Sequence, residues 1–227
     1  QCYEVRGKTL GIVGYGNIGT QVSMLAEAMG MRVMYYDVVS KLPLGNAKPL
    51  STLEELLGAS DFVTLHVPEL DTTKNMIGEV ELKQMKPGSY LINNSRGTVV
   101  DLGALDQAIR SKHLAGCAID VFPEEPENNI PNYPSPMKGI ENVILTPHIG
   151  GSTEEAQFNI GLDVTSKLLN YLERGSTTGS HSVPQLNLPL QAKTHRILHI
   201  HKNVPGVLGE INSKLSSHNI NILGQYL

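Results

Sequence analysis

Between Leu10 and Leu145, short apolar runs alternate with stretches in which apolar residues recur every three or four positions. Leu10 to Val13 reads as a strand. Beyond Thr20, Val22, Leu25, Ala26 and Met29 fall at the i, i+3, i+4, i+7 spacing of a helix face, and Gly30 supplies the stop. Met31 to Tyr36 reads as the next strand. Ser51-Thr-Leu-Glu54 reads as a capping box opening a short helix, Phe62 to Val67 as a strand, and Val80 to Met85 as a helix before Lys86-Pro-Gly88. The rest of this region alternates in the same way: a strand at Tyr90 to Asn93, a helix at Leu102 to Ser111, and strands at Ala118 to Val121 and Val143 to Leu145. Strands and helices in strict alternation predict an α/β unit, a doubly wound parallel sheet covered on both faces.

After Ser152 the pattern changes. Thr153-Glu-Glu opens a long amphipathic helix reaching Leu172, and Arg174-Gly-Ser-Thr-Thr-Gly-Ser180 reads as a flexible polar linker. From Arg196 to His201 a strand is expected. It is followed by a Pro205-Gly206 turn, a helix carrying Leu208, Ile211 and Leu215, and a final strand from Asn219 to Leu227. These elements amount to half of a small α+β domain. With Gln1 at one end and an unclosed strand at the other, the chain reads as a piece of a longer protein.

The first chemical signal is Gly14-Tyr-Gly16-Asn-Ile-Gly19, set between a strand and a helix, with Asp37 ending the second strand eighteen residues past Gly19. A Gly-rich turn in isolation is common; this context and spacing point to a dinucleotide. Gly14 and Gly16 permit the tight turn and the approach to a pyrophosphate, and Gly19 completes the cofactor-binding motif. The helix start offers free N–H groups and a positive dipole end. Asp37 is expected to accept from ribose hydroxyls and to repel a 2′-phosphate, which favours NAD over NADP.

A second constellation lies at later strand ends: Ser95-Arg96-Gly97, then Asp120-Val-Phe-Pro-Glu-Glu125-Pro126, then Thr146-Pro-His148-Ile-Gly-Gly151. Taken singly, Arg96 suits a surface loop, Glu125 a solvated acidic pair, and His148 a backbone-bonded loop residue. Taken together they stand at the carboxyl ends of a doubly wound sheet, the edge that faces the ligand crevice. His66 reads as local structure and Cys117 as a small core residue. His199 and His201 share a strand face, but no third ligand accompanies them, so a metal is not expected.

Composition narrows the classes. Over 227 residues, 18 Lys and Arg against 22 Asp and Glu give a net charge of −4 with no basic block, which argues against nucleic-acid binding. No apolar run approaches the ~18 residues of a membrane span. Cys2 and Cys117 are too few for a disulfide framework or a four-cysteine zinc site, and they fit a reducing, cytoplasmic setting.

Several strings together carry a resemblance: Gly11-Ile-Val-Gly-Tyr-Gly-Asn-Ile-Gly-Thr20, Lys41-Leu-Pro-Leu-Gly-Asn-Ala47, Leu65-His-Val-Pro68, Asn94-Ser-Arg-Gly-Thr-Val-Val-Asp101, Ala118-Ile-Asp-Val-Phe-Pro-Glu-Glu-Pro126 and Leu145-Thr-Pro-His-Ile-Gly-Gly-Ser152. The chain resembles the D-isomer-specific 2-hydroxyacid dehydrogenases, and Ile197 to Leu208 resembles the start of the ACT-type regulatory domain of their long forms. The resemblance implies a Rossmann-type NAD-binding domain over 1–151 and a helix returning to the substrate-binding domain over 152–174. A linker over 175–193 and a partial ACT domain over 194–227 would follow.

It also implies roles. Arg96 matches the arginine that holds the substrate carboxylate and carbonyl, His148 the general acid/base, and Glu125 the carboxylate that orients the imidazole. Cofactor positions by the same match are Asn17, Ile18, Asp37, Asn94, Ser95, Arg96, Asp120, His148, Ile149, Gly150 and Gly151. The implied reaction is NAD-dependent oxidation of 3-phospho-D-glycerate to 3-phosphooxypyruvate, the opening of L-serine synthesis, by a homo-oligomer with L-serine as effector at His201, Asn203 and Asn221. This chain taken alone is expected to be catalytically silent. Other readings stay open: a different D-2-hydroxy acid dehydrogenase, a 2-oxo acid reductase acting for example on 2-oxoglutarate, or a dinucleotide-sensing corepressor.

Overall fold

The structure is a computed structural model, described over residues 3–126, 133–180, 182–189 and 191–226; Cys2 lies outside these. It divides into two compact units, Gln1–Ser152 and Thr153–Leu227. In the first, seven strands form one parallel sheet: β1 (Thr9–Val13), β2 (Arg32–Tyr36), β3 (Lys48–Pro49), β4 (Phe62–Leu65), β5 (Tyr90–Asn93), β6 (Gly116–Ile119) and β7 (Val143–Leu145). Their spatial order is β3-β2-β1-β4-β5-β6-β7, so the chain reverses direction across the sheet between β1 and β4. The helices are α1 (Asn17–Ala28), α2 (Leu53–Ala59), α3 (Glu79–Gln84) and α4 (Leu102–Arg110).

Every residue of β1 is buried, as expected of a central parallel strand with helices on both faces. On one face Leu10 and Ile12 join Ala26 of α1, Val33 and Tyr35 of β2, and Tyr15. On the other, Val13, Val63, Leu65 and Leu91 pack with Leu56 and Leu57 of α2, Leu82 of α3, and Leu105 and Ile109 of α4. Gly11 admits α2 to this face: a Cβ there would lie 2.2 Å from Ser60 Oγ and 2.7 Å from Leu56 Cδ2.

Within the first unit the predicted strands and helices are present, with ends moved by a few residues. The strand expected at Phe62 to Val67 stops at Leu65, and β3 is an additional two-residue edge strand. The capping box sits one residue later than expected: Glu55 N–H donates to Thr52 Oγ1, while Glu55 Oε2 accepts from the Thr52 N–H. Leu53 is the first helical residue, so the cap and its N3 partner both shift with it.

In the second unit, α5 (Glu154–Arg174) is capped by Thr153 and ended by Gly175 in the left-handed conformation, and α6 is Val207–Ser217. The stretch expected to be a flexible linker is a hydrogen-bonded loop: Thr177 N–H donates to Leu186 O, and Leu186 N–H donates to Thr177 Oγ1. The strands expected at Arg196 to His201 and Asn219 to Leu227 do not appear among the described residues. A strand exists only through its ladder, and neither segment pairs with another here, so alternation in the sequence was insufficient.

One polar anchor ties the sheet's start. Thr9 N–H donates to Asp61 Oδ2 at 2.9 Å, and Lys86 Nζ donates to Asp61 Oδ1 at 2.6 Å. Burial by itself would raise the Asp61 carboxyl, but the Lys86 ammonium and Thr9 N–H outweigh it and hold it below the ordinary aspartate range. Asp61→Asn is expected to cost about 1 kcal/mol near pH 7 by chemical denaturation. Because the folded carboxyl is the stronger acid, the unfolded chain takes up the proton first. The difference between wild type and variant should therefore shrink as pH falls below ~4. A difference that held constant from pH 7 to pH 3 would contradict this.

Candidate active site

The Gly-rich turn follows β1. Gly14 adopts φ +90°, and its N–H donates to Tyr36 O, so the turn begins tied to β2. A Cβ on Gly14 would lie 2.4 Å from His66 O, and one on Gly19 would lie 2.2 Å from Gly14 O; both positions require glycine. Gly16 differs, because a Cβ there would have no neighbour within 4 Å. Its missing side chain leaves the approach to the start of α1 open. No side chain caps that helix, whose N-cap is Gly16 itself. Exposed N–H groups, a positive dipole end and an open approach suit a pyrophosphate.

Asp37 faces this turn. Its Oδ2 accepts from Tyr15 N–H at 2.8 Å and its Oδ1 from Val39 N–H at 2.9 Å, so the carboxylate is fixed in place. Tyr15, to which the sequence reading gave no role, is buried, stacks on Tyr35 at 3.7 Å between centroids and hydrogen-bonds Ser23 Oγ through its hydroxyl. The middle residue of the turn is thus anchored in the core. His66, where β4 ends, pairs its Nε2 with Thr64 Oγ1 at 3.1 Å, and burial lowers its pKa, as a locally bonded neutral ring requires.

The three later loops stand on adjacent strands. After β5, buried Asn93 organises its loop: Oδ1 accepts from the N–H and hydroxyl of Ser95, and Nδ2 donates to Arg96 O. Arg96 is exposed and places Nη1 on Ser95 O at 2.7 Å. Gly97 lets this loop meet the next one, since a Cβ on it would lie 1.9 Å from the Phe122 carbonyl carbon. After β6, Phe122 N–H donates to Glu125 Oε1 at 2.8 Å, leaving Oε2 for His148 Nδ1 at 2.5 Å. The two side chains stay accessible, 45% for His148 and 33% for Glu125.

Asp120, the first residue past β6, is only 4% exposed. Its Oδ1 accepts from Thr146 Oγ1 at 2.5 Å and from Ile149 N–H at 3.0 Å, and its Oδ2 from Gly150 N–H at 3.0 Å. Burial would raise its carboxyl; the Thr146 hydroxyl, the two N–H groups and His148 together keep it below the ordinary range. Cys117 lies buried in the core, its thiol pushed up to about 12 by that burial, so it is no nucleophile.

The structure therefore joins Glu125 with His148 directly, and Arg96 with the Glu125 loop through Gly97. It leaves His201, Asn203 and Asn221 unjoined: no hydrogen bond connects the three among the described residues. No group of three or more His, Cys, Asp or Glu able to hold a metal occurs among the described residues. No described helix is long and apolar enough to cross a membrane.

Residues 1–150 match the D-isomer specific 2-hydroxyacid dehydrogenase NAD-binding domain. The chain belongs to that family. The D-3-phosphoglycerate dehydrogenase of Escherichia coli strain K12 is 56% identical over 225 residues, covering 99% of this chain and 55% of that protein. The enzyme of the same name from Dictyostelium discoideum is 54% identical over 219 residues, covering 96% of this chain and 54% of the relative. The NAD-complexed D-isomer specific 2-hydroxyacid dehydrogenase of Lactobacillus delbrueckii ssp. bulgaricus superposes with a TM-score of 0.70 at 32% identity, over 76% of this chain and 56% of that one. The chain thus spans about half the length of the curated relatives it matches.

The fold, the turn and the family agree on NAD as the cofactor of this dehydrogenase domain. The full-length protein is expected to bind NADH at least about tenfold more tightly than NADPH, a difference of ~1.4 kcal/mol. Asp37→Ala should narrow that gap by removing the anion that opposes a 2′-phosphate. Fluorescence titration with both nucleotides checks this, and equal affinities in the wild type would overturn it.

Proposed function

We propose that this chain carries the nucleotide-binding part of an enzyme that oxidises 3-phospho-D-glycerate to 3-phosphooxypyruvate, the first step towards L-serine. The observation that carries the chemistry is the hydrogen bond between His148 and Glu125 at the carboxyl edge of the sheet. The substrate rests on the high identity to the phosphoglycerate enzymes over nearly all of this chain.

With Nδ1 turned to Glu125, the imidazole offers Nε2 to a substrate hydroxyl. A neutral ring that donates from Nδ1 has an unprotonated Nε2, so it accepts the hydroxyl proton as the C–H bond breaks. The imidazolium that results sits against a carboxylate, and Glu125 keeps the ring in one orientation throughout. NAD, when bound, supplies the hydride acceptor. Arg96 contributes a planar fork of donors, of which Nη1 is held by Ser95 O; the exposed remainder suits a 2-hydroxy carboxylate. Gly14, Gly16 and Gly19 shape the pyrophosphate turn, Asn17 and Ile18 bring their N–H groups to it, and Asp37 takes the ribose. Asn94, Ser95 and the run from His148 to Gly151 would line the nicotinamide side.

In the same reading, the full-length protein is a homo-oligomer that binds L-serine through His201, Asn203 and Asn221. Asparagine offers both donors and acceptors to a small amino acid, and the family resemblance of Ile197 to Leu208 supports an ACT-type site.

In the full-length enzyme, His148→Ala is expected to lower kcat by about 100-fold or more while leaving NADH affinity within about twofold. Steady-state kinetics together with NADH titration tests this, and near-normal turnover would remove His148 from the chemistry. The same assay run with 3-phospho-D-glycerate, D-lactate and D-2-hydroxyglutarate should show the phosphorylated substrate preferred by at least about tenfold in kcat/KM, or ~1.4 kcal/mol. A preference for another acid would keep the dehydrogenase chemistry and replace the substrate.

A further inference from the structure

His148 has a backbone that a β-carbon disfavours. Its φ of +52° lies in the left-handed region, where residues other than glycine are uncommon. Something must over-determine that conformation, and the hydrogen bonds around Asp120 show what does.

β6 and β7 are parallel neighbours in which Ile119 stands opposite Leu145. Asp120 and Thr146 are the first residues beyond the two strands, so the register sets them side by side, and the Thr146 hydroxyl donates to Asp120 Oδ1. The chain then passes through Pro147 and His148 and returns: Ile149 N–H donates to the same Oδ1 and Gly150 N–H to Oδ2. A single oxygen atom therefore holds both ends of the segment from Thr146 to Ile149, with His148 between them. Gly150 comes so close that a Cβ there would stand 3.1 Å from Asp120 Oδ2. The imidazole is fixed separately, by Glu125, whose other oxygen accepts from Phe122 N–H.

We propose that Thr146 is a positioning residue of this active site, its hydroxyl fixing the Asp120 carboxylate so that Ile149 and Gly150 are gathered onto it and His148 is held left-handed, with Nδ1 on Glu125. This rests on the reading of His148 as the acid/base. Thr146 acts through Asp120 and His148, without touching substrate. An ionised carboxylate only accepts, and here three donors converge on it from one short loop, which suits it to gathering that loop in. Without the hydroxyl the carboxylate keeps two partners but loses the one standing on the rigid sheet, and its χ angles relax. The loop carrying His148 is then tethered to a side chain that is itself less tightly fixed.

The test uses the full-length protein with Thr146→Val, which is near-isosteric and lacks the hydroxyl, and Thr146→Ser, which retains it. Thr146→Ala serves as a second hydroxyl-free variant if the valine form folds poorly. Deuterium uptake by a peptide spanning residues 146–152, followed by mass spectrometry, is expected to be at least about tenfold faster in Thr146→Val and close to wild type in Thr146→Ser, with α1 unchanged in both. In parallel, kcat for phosphoglycerate oxidation should fall about 10- to 100-fold in Thr146→Val, and Thr146→Ser should restore it. Unchanged uptake in the hydroxyl-free variants would overturn the proposal, as would a serine variant as impaired as valine. If the wild type fails to oxidise phosphoglycerate at all, the functional reading fails, while the exchange result still decides whether Thr146 holds this loop.

Discussion

Parallel pairing of β5, β6 and β7 is the constraint from which the site follows. Parallel strands end on the same edge, and the register Asn93 to Ile119 to Leu145 brings three chain exits within one side chain's reach of one another. Residues far apart in sequence thereby become neighbours. The bond between Glu125 and His148 links positions 23 apart, and that between Asp120 and Thr146 links positions 26 apart. Packing of α2, α3 and α4 against one face of this sheet maintains that register, since slipping a buried strand by one residue would turn its apolar side chains to the opposite face.

Around that edge, glycines and carboxylates divide the work. Gly14, Gly19 and Gly97 stand where a Cβ would strike backbone atoms, so they allow loops to approach each other. Asp37, Asp120 and Glu125 then fix those loops by accepting N–H groups: Tyr15 and Val39 on the first, Ile149 and Gly150 on the second, Phe122 on the third. Each carboxylate does so through oxygens the sequence reading assigned to ligands or to catalysis. Each of these acids is a structural acceptor, and its geometry is settled by the backbone it holds before any ligand is considered.

His148 is left-handed, and the donors on both of its sides converge on Asp120. Preorganisation of this kind would lower the reorganisation needed in the proton transfer proposed for His148. In the second unit α5 has no buried residue among those described, and the loop after it is tied through Thr177.

The sequence by itself determined the alternation that makes a doubly wound sheet, the Gly-x-Gly-x-x-Gly turn with Asp37 at the correct distance, and the three motifs at strand ends. Those are local properties, set by periodicity, turn chemistry and spacing, so they were legible without coordinates. Tertiary structure alone decided that the Glu125 contact is made at Nδ1 of His148, that the Thr146 hydroxyl reaches Asp120, and that Tyr15 is a core residue stacked on Tyr35. It also decided against strands at Arg196 to His201 and Asn219 to Leu227 among the described residues. The physical reason is common to all of these: a hydrogen bond across strands, or a ladder between them, depends on which distant segment folding brings alongside, and no window of sequence contains both partners.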